Sequence, residues 1–456
     1  GAKAANWDEA TELGGRVIKA VMDHWGADAV GMKFFDHGGG GGGFENNWAV
    51  GRFFFDGIQT QSVSIHNRPA YNSEIHAASD AGIAPLTNAY VDAQLADTIV
   101  IVGANPYETQ TNYFLNHMIK NLSGESISTK ENFFSKEEFD TGRMIVIDPR
   151  RTMTVATAEA AAGSENILHL QLEPGSDLWL LNAIARVIYD RKWHDIGFIQ
   201  NRTEVQTWEA YQRSTLMSGQ SSEEFLNEAS MKSGIAISDI IKAAEWIAKP
   251  KASRTARRTL FHYEKGLIWG YKNYENIASI VDLALMTGNL GKPGTGCSRL
   301  GGHQEAYVRP TSNTGRPARN IDEALRRGEI KVFWVAGCNP VQTTLHANAI
   351  SDTLRERGRI VSEALENSVG LPVSEQVVAI IEALKQGGVF LIGQDIYPTA
   401  TTDLAHIVLP AATWGEINMT SINGERRLRL YQKFMEPPGN AISDWKIMAR
   451  FAGTLH

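Results

Sequence analysis

One short pattern occurs twice in this chain, and it constrains the fold more than any other feature. An apolar run rich in β-branched residues ends in Gly-x-Asn-Pro at residues 98–106 (TIVIVGANP) and again at residues 332–340 (VFWVAGCNP). Each run is typical of a buried parallel strand, and open α/β sheets bind ligands where such strands end. The duplication therefore predicts two similar halves that bind two similar ligands, or one ligand with two similar ends. Asn105 and Asn339 supply the amide in each copy.

A second apolar run follows each copy, at residues 144–150 (MIVIDPR) and 389–399 (VFLIGQDIYPT). Such alternation predicts an α/β fold with two Rossmann-like, doubly wound lobes, mainly parallel sheets and an internal pseudo-repeat. We predict a first dinucleotide-binding lobe over residues 1–250, which can include a segment of the second lobe, and a second over residues 251–456. At roughly 100–200 residues per domain, a chain of 456 residues is long enough for two such lobes.

Composition excludes several functions. The formal net charge of −7 argues against a general nucleic-acid surface. No apolar stretch reaches about 18 residues, so the sequence predicts no membrane span. The two cysteines, Cys297 and Cys338, cannot by themselves form a disulfide framework or a four-thiolate cluster.

Charged side chains follow several of the predicted strands. Asp148 and Arg150 lie just beyond one of them, where a carboxylate can accept from ribose or from a guanine edge and an arginine can pair with phosphate. An Asp-Pro turn with a surface arginine is the alternative. Asp177, after a Pro-Gly turn, suits the two donors of guanine and equally suits a helix cap. Lys265 lies between apolar residues, where a lone charge needs a partner.

Two loops carry further candidate residues. Residues 64–76 (SIHNRPAYNSEIH) contain His66 and Glu74, which can move protons or bind metal, although structural roles remain open and no HExxH zinc pattern is present. Residues 288–310 contain six glycines, among them Gly296, and Arg299 and His303 emerge from this segment. So many glycines predict a backbone that lies close to a ligand.

Taken together, these segments resemble the molybdopterin oxidoreductases of the dimethyl sulfoxide reductase superfamily over nearly the whole chain. The resemblance is carried by the paired GxNP turns, IDPR, EPGSD, HIVLP and NMTSINGERR. Within that superfamily IHNRPAYNSE, NPYETQTNYFLNH, YEKGLIWG and GTGCSRLGGHQE specifically resemble the catalytic subunits of arsenite oxidases.

The resemblance implies a molybdenum centre held by two pyranopterin guanine dinucleotides, with no side chain bound to the metal. Ala70 stands where relatives place serine, cysteine or aspartate. The residues that the resemblance assigns to the arsenite pocket are His66, Glu74, Arg299 and His303. Those that it assigns to cofactor binding are Ala70, Asn105, Asp148, Arg150, Asp177, Lys265, Gly296, Asn339 and Asp395.

The resemblance also implies a function, namely oxidation of arsenite to arsenate by oxygen-atom transfer. Electrons would pass to iron–sulfur partners, including a Rieske-type small subunit, and then to a cytochrome or copper protein in the periplasm. We expect this chain to lack the family's amino-terminal iron–sulfur domain, with its cluster ligands, and its carboxy-terminal domain. The alternatives are another oxyanion oxidoreductase, similar to iodate reductase, and a non-catalytic cofactor-binding fragment.

Overall fold

The chain folds into two compact units. The computed structural model describes residues 4–34, 43–65, 77–78, 80–83, 87–134, 139–252, 255–300, 320–425 and 427–455. Unit 1 comprises residues 1–71, 302–423 and 427–456, and unit 2 comprises residues 72–301 and 424–426. This division differs from the predicted boundary at residue 250, which is corrected here. Residues 1–71 join the second GxNP segment, and residues 251–301 join the first.

Each unit is built on one parallel sheet of five strands. The strands are β1 (Val30–Phe34), β2 (Val63–Ile65), β3 (Thr98–Val102), β4 (Arg143–Ile147), β5 (Ile167–Leu170), β6 (Thr259–Tyr263), β7 (Gly296–Arg299), β8 (Val332–Ala336), β9 (Phe390–Asp395), β10 (Ile407–Pro410), β11 (Met419–Ile422) and β12 (Leu428–Tyr431). The strand order is β10-β9-β8-β1-β2 in unit 1 and β5-β4-β3-β6-β7 in unit 2. Strands β11 and β12 form a separate antiparallel pair in unit 1.

The two sheets are copies of one arrangement. Strands β8, β9 and β10 correspond to β3, β4 and β5, while β1 and β2 correspond to β6 and β7. The register agrees, since Val30 pairs with Val332 in unit 1 and Thr259 pairs with Thr98 in unit 2. Along the chain, β6 and β7 follow the GxNP strand β3 in unit 2, whereas β1 and β2 precede the GxNP strand β8 in unit 1. This permuted order is the reason why a boundary drawn along the sequence fails.

Helices cover both faces of each sheet, which confirms the predicted doubly wound α/β class. Along β3, Ile99 and Ile101 belong to one apolar cluster, and Val100 and Val102 belong to the opposite one. Strand β8 divides in the same way between two clusters. Because both faces are buried, these strands are apolar at nearly every position rather than at alternate ones.

The described helices include both long packing helices and short turns. Those of unit 1 are Trp7–Trp25, Gly43–Gly51, Ile321–Arg326, Pro340–Thr343, Ala347–Asn367, Val373–Lys385 and Asp444–Ala452, with a π-helix at Arg52–Ile58. Those of unit 2 are Asp92–Leu95, Pro106–Thr109, Thr111–Tyr113, Ile119–Leu122, Ile127–Phe133, Met153–Ala162, Asp177–Asp190, Ile196–Arg202, Val205–Ser214, Ser222–Ser233, Ile237–Ala248, Lys265–Ile268 and Asn273–Met286, with a π-helix at Phe114–Met118. In the part of the chain that the structure describes, no helix is both long and apolar enough to cross a membrane.

Local sequence explains where the first long helix begins. The side chain of Asn6 accepts a hydrogen bond from the backbone N–H of Glu9, and the Glu9 carboxylate accepts one from the backbone N–H of Asn6. This reciprocal pair satisfies two of the N–H groups that a helix start leaves without partners. One face of the helix is then buried through Val17, Ile18 and Val21. The packing of that face helps to hold β1 in the unit 1 sheet.

Candidate functional site

The two GxNP turns have the same backbone geometry, although they belong to different units. Gly103 has φ +58° and Gly337 has φ +62°, a region that L side chains rarely occupy. The backbone N–H of Gly103 donates to Ile147 O at 3.0 Å, and that of Gly337 donates to Gln394 O at 2.9 Å. Each turn is therefore tied to the strand next to its own. The chain then enters a short helix with proline in its first turn.

The asparagines of the two turns are held by threonines that the sequence analysis did not single out. Thr154 Oγ1 donates to Asn105 Oδ1 at 2.8 Å, and Thr401 Oγ1 donates to Asn339 Oδ1 at 2.7 Å. Both threonines are completely buried. The signal that could have revealed them is a threonine after the charged end of β4 and of β9, in IDPRRTMT and QDIYPTAT.

One of these amides offers a donor to a ligand. Asn105 Nδ2 is buried and has no hydrogen-bond partner among the described residues. By contrast, Asn339 Nδ2 donates to Gln342 Oε1 at 2.7 Å. A buried amide N–H without an acceptor is unfavourable. Asn105 therefore suits a ligand with an exposed acceptor at the carboxyl end of β3.

A pair of aspartates lies beyond β4 and β5 in unit 2. Asp148 Oδ1 accepts from the backbone N–H of Arg150 at 2.8 Å, while the Arg150 residue itself is exposed. Burial raises the pKa of Asp148 above its usual value. Burial also raises the pKa of Asp177, and the nearby charge of Asp148 raises it further. The two predicted carboxyl groups are thus brought together, with Asp177 as the first residue of its helix.

Unit 1 contains an equivalent pair, of which the sequence analysis identified only one member. Burial raises the pKa of Asp395, at the end of β9. Its neighbour is Asp444, the first residue of the helix Asp444–Ala452, whose carboxylate accepts from Asn46 Nδ2 at 2.8 Å and from Gln394 Nε2 at 2.6 Å. Burial, assisted by the charge of Asp395, raises the pKa of Asp444 to about 6. A Ser-Asp dipeptide starts both helices, and this shared signal points to Asp444.

The unit 1 pair lines a cleft of about 240 Å³ at the carboxyl end of the sheet. Its walls include Asn46, Gly337, Gln394, Asp395 and Asp444. The cleft thus combines a tight glycine turn, side-chain amides and two carboxyl groups. The carboxylate and amide oxygens can accept hydrogen bonds from a heterocycle that carries several donors, and the glycine lets the ligand approach the backbone.

A buried group of charges lies at the carboxyl ends of β6 and β7 in unit 2. Arg299, whose side chain is 6% exposed, donates through Nε to Glu264 Oε1 at 3.2 Å. Lys265 Nζ lies 3.3 Å from the same oxygen. The predicted residues Arg299 and Lys265 are therefore brought together, through a glutamate that the sequence analysis did not select. The signal that could have revealed it is the Glu-Lys pair in HYEKG, directly after an apolar strand.

Of the other residues predicted for the loops 64–76 and 288–310, the structure describes only Gly296, which does not lie with this group. Gly296 starts β7, at the strand end remote from Arg299, and a Cβ there would come within 2.8 Å of Asn88 Cβ. Packing thus accounts for glycine at this position. His66, Ala70, Glu74 and His303 lie outside the described residues. Within the described ranges, no group of three histidine, cysteine or acidic residues could hold a metal ion.

Known proteins resemble the chain over almost its full length. The family model described as molybdopterin oxidoreductase matches residues 3–365 and 371–454. An arsenite oxidase subunit from Herminiimonas arsenicoxydans is 43% identical over 99% of this chain and 53% of its own length. An iodate reductase subunit from Denitromonas iodatirespirans is 32% identical over 98% of this chain and 50% of its own length. The chain thus spans about half the length of these relatives.

A solved structure has the same fold. Acetylene hydratase from Pelobacter acetylenicus superimposes with a TM-score of 0.58 over 99% of this chain and 59% of its own, at 14% sequence identity. At that identity the similarity concerns the fold alone. It agrees with the two parallel sheets described above.

Proposed function

The chain belongs to the molybdopterin oxidoreductase family, and we propose that it forms the core of an arsenite oxidase, which oxidises arsenite to arsenate by oxygen-atom transfer. The observation that carries this proposal is the 43% identity to an arsenite oxidase subunit, maintained over 99% of the chain. The family relationship implies a molybdenum–pterin cofactor. The guanine dinucleotide form, the substrate and the partners are the further content of the proposal.

The twinned geometry supports two guanine dinucleotides, one bound by each unit. Guanine presents an N–H and an amino group side by side, and a single carboxylate can accept from both. Asp177 and Asp444 are suited to that role because each carboxylate begins a helix at the carboxyl edge of its sheet. Asn105 Nδ2, buried without a partner among the described residues, would donate to an acceptor on the cofactor.

The residues proposed for the substrate pocket suit arsenite. At neutral pH arsenite is a largely uncharged, hydroxylated molecule, so its site needs both hydrogen-bond donors and acceptors. Arg299 donates, Glu74 accepts, and His66 and His303 can do either. When bound, the molybdenum cofactor supplies the oxygen atom and takes up the two electrons. Arg299 would stabilise the negative charge that develops as arsenate forms.

The proposal extends to the assembly. The two curated relatives described above are named as subunits, which supports a complex with at least one further chain. We propose a Rieske-type small subunit as the first electron acceptor, followed by a cytochrome or copper protein, with the complex in the periplasm. Iron–sulfur ligands would be contributed by other parts of the full-length protein.

The substrate proposal is tested on the full-length protein in complex with its small subunit. Arsenite should reduce an electron-accepting dye, and Arg299→Gln should lower kcat/KM by about 100-fold or more while molybdenum content is retained. Arg213→Gln is the matched control, because Arg213 is exposed on a helix of the same unit and forms a surface ion pair with Glu209. Unchanged kinetics in Arg299→Gln at full molybdenum occupancy would contradict the assignment.

The alternatives give different results in the same assay. Iodate-dependent oxidation of a reduced dye, without arsenite oxidation, would favour an iodate reductase. This is the second candidate because an iodate reductase subunit is 32% identical to the chain. Full molybdenum content without turnover of either compound would favour a cofactor-carrying module.

The cofactor proposal has a separate, chemical readout. Acid hydrolysis of the wild-type protein should release two GMP molecules per molybdenum atom. Asp177→Asn replaces one acceptor oxygen by a donor, so guanine binding in unit 2 should weaken and GMP content should fall. Asp239→Asn, in the first turn of another helix of unit 2, is the control. Release of pterin without GMP from the wild type would contradict the guanine form.

A further inference from the structure

Arg299, the arginine that we assign to the substrate site, is the last residue of strand β7. This strand has four residues and lies at the edge of the unit 2 sheet, where β6 is its neighbour. Side chains add further contacts to it. The hydroxyl of Thr87 accepts from the backbone N–H of Cys297 at 2.7 Å and donates to the carbonyl of Cys297 at 3.0 Å. The position of Arg299 therefore depends on side-chain hydrogen bonds to β7 as well as on the sheet.

A second set of buried polar groups reaches the carbonyl that precedes Arg299. His262, near the end of β6 and 1% exposed, has Nδ1 at 3.0 Å from Ser298 O and Nε2 at 3.0 Å from Tyr113 Oη. Because a carbonyl oxygen can only accept, Nδ1 carries the proton. Burial lowers the pKa of His262 to about 4, so the ring is neutral at pH 7 and Nε2 accepts from the Tyr113 hydroxyl. The direction of both hydrogen bonds is thus defined.

Tyr113 is itself held in place by its neighbours. The residue is 6% exposed, and its ring stacks on that of Tyr90 with the centroids 4.4 Å apart. Asn88 Nδ2 donates to the Tyr113 oxygen at 3.5 Å. Tyr113 belongs to the segment NPYETQTNYFLNH, for which the sequence analysis gave this residue no role. A tyrosine held in this way presents its O–H to His262 and selects one tautomer of the histidine ring.

We propose that Tyr113 and His262 are positioning residues for Arg299. The Tyr113 hydroxyl selects the tautomer in which His262 donates to Ser298 O, and this hydrogen bond fixes the end of β7 from which the Arg299 side chain extends. The inference rests on the proposed function for the part that Arg299 takes in turnover.

The physical reason is that rates are sensitive to small displacements. A misplacement of about 1 Å can slow a reaction about 100-fold, even when its cause lies outside the site. Arg299 is proposed to stabilise negative charge that develops during the reaction, and arsenite itself is uncharged at neutral pH. Misplacing this arginine should therefore lower kcat rather than raise KM.

Three substitutions separate the hydrogen bonds from packing. Tyr113→Phe keeps the ring and removes the O–H that donates to His262. His262→Leu removes both hydrogen bonds of the imidazole, whereas His262→Asn places an amide N–H near the former Nδ1 position, where it can still donate to Ser298 O. Tyr211→Phe is the matched control, because the Tyr211 hydroxyl of unit 2 is also buried but has no hydrogen-bond partner among the described residues.

Steady-state kinetics are measured on the full-length, molybdenum-loaded protein in complex with its small subunit. Tyr113→Phe should lower kcat for arsenite about tenfold, and His262→Leu should lower it about 30-fold. The KM should stay within about threefold of wild type in both variants. His262→Asn should recover most of the kcat that His262→Leu loses, and Tyr211→Phe should match wild type. A wild-type kcat in Tyr113→Phe would overturn the inference.

A double-mutant cycle identifies the residue through which the pair acts. If Tyr113 acts through Arg299, Tyr113→Phe should change kcat by less than about twofold once Arg299→Gln is present. The same tenfold loss of kcat in both backgrounds would also overturn the inference, because Tyr113 would then act independently of the arginine. Since Tyr113→Phe preserves the buried ring, this cycle gives the answer even if His262→Leu does not retain molybdenum.

Hydrogen–deuterium exchange gives a readout that does not require turnover. Exchange of the backbone N–H groups of residues 297–300 should be about tenfold faster in Tyr113→Phe than in wild type, and unchanged in Tyr211→Phe. A wild type that does not oxidise arsenite but shows this difference in exchange would refute the proposed substrate and still support the connection between Tyr113 and β7. Equal exchange in wild type and Tyr113→Phe would overturn the inference for any substrate.

Discussion

Asp444 and Asp395 line the same cleft of unit 1, and burial together with the charge of Asp395 raises the pKa of Asp444 to about 6. The Asp444 carboxylate is already hydrogen-bonded to Asn46 and Gln394. Asp177 and Asp148 form the corresponding pair in unit 2, where burial and the neighbouring charge also raise the pKa of Asp177. Both units thus keep a proton-sensitive acceptor at the edge where a ligand would bind.

The raised pKa of Asp444 makes the stability of unit 1 depend on pH. Between about pH 4 and pH 6, folded Asp444 keeps a proton that the unfolded chain has lost, so its contribution to stability is present at low pH and is lost as the pH rises through 6. The loss is about 1.4 kcal/mol per pH unit within this window. Urea unfolding of the wild type and of Asp444→Asn should be compared from pH 4 to 7. The pH dependence of the free energy of unfolding should correspond to about one bound proton less in the variant. An identical slope would contradict the prediction.

His262 should have the opposite effect. Burial lowers the pKa of His262 to about 4, and its ring nitrogens face Tyr113 Oη and Ser298 O, each at 3.0 Å. The unfolded histidine binds a proton between about pH 6.5 and pH 4 whereas the folded one does not, so stability is lost as the pH falls through this window. His262→Gln should flatten the acid limb of the same unfolding titration. A steeper acid limb in the variant would show that the sign is wrong.

Gly103 should tolerate alanine poorly for two reasons. Its φ of +58° is strained for any residue with a Cβ, and a Cβ there would lie 2.9 Å from Gly266 Cα. Gly124→Ala is the matched control, since Gly124 has φ +83° but its nearest contact would be an ordinary 3.7 Å. We expect Gly103→Ala to lower the free energy of unfolding by about 3 kcal/mol and Gly124→Ala by about 1 kcal/mol. Equal losses would mean that the backbone contact is unimportant.

The threonines that hold the GxNP asparagines should differ in their contributions. Thr154 Oγ1 donates to Asn105 and accepts from the backbone N–H of Tyr107 at 3.1 Å, whereas Thr401 Oγ1 donates to Asn339. Valine has nearly the same shape but makes neither bond. Urea unfolding should show a loss of about 2 kcal/mol for Thr154→Val and about 1 kcal/mol for Thr401→Val. A larger loss of unfolding free energy in Thr401→Val than in Thr154→Val would contradict this prediction, which depends on the number of hydrogen bonds that each hydroxyl makes.

Much of the fold could be predicted because its signals are local. The runs before Gly103 and Gly337 are apolar at nearly every position, as a strand covered on both faces requires, and glycine and proline mark where each strand stops. The duplication of this pattern predicted two equivalent sheets. Which residues belong to each sheet could not be predicted, because β1 pairs with β8 across a sequence separation that no local signal records.

The same limit applies to the candidate site. Asp148, Asp177, Asp395, Arg299 and Lys265 could be selected because charged residues after apolar strands are conspicuous and match a known family. Asp444 was missed because its helix lies far along the chain from β9, and only folding brings it to Asp395. Glu264 was missed because a charge next to a lysine resembles a solvated surface pair until burial against Arg299 is seen.

By itself, the sequence determined the fold class, the two glycine turns and the family, since these depend on residue type and short-range order. Only the tertiary structure decided which carboxylates share an environment, which cations contact Glu264 and how the strands are divided between the units. The reason is physical: the pKa of a buried group and the strength of an ion pair depend on distances and burial, and long-range strand pairing creates both.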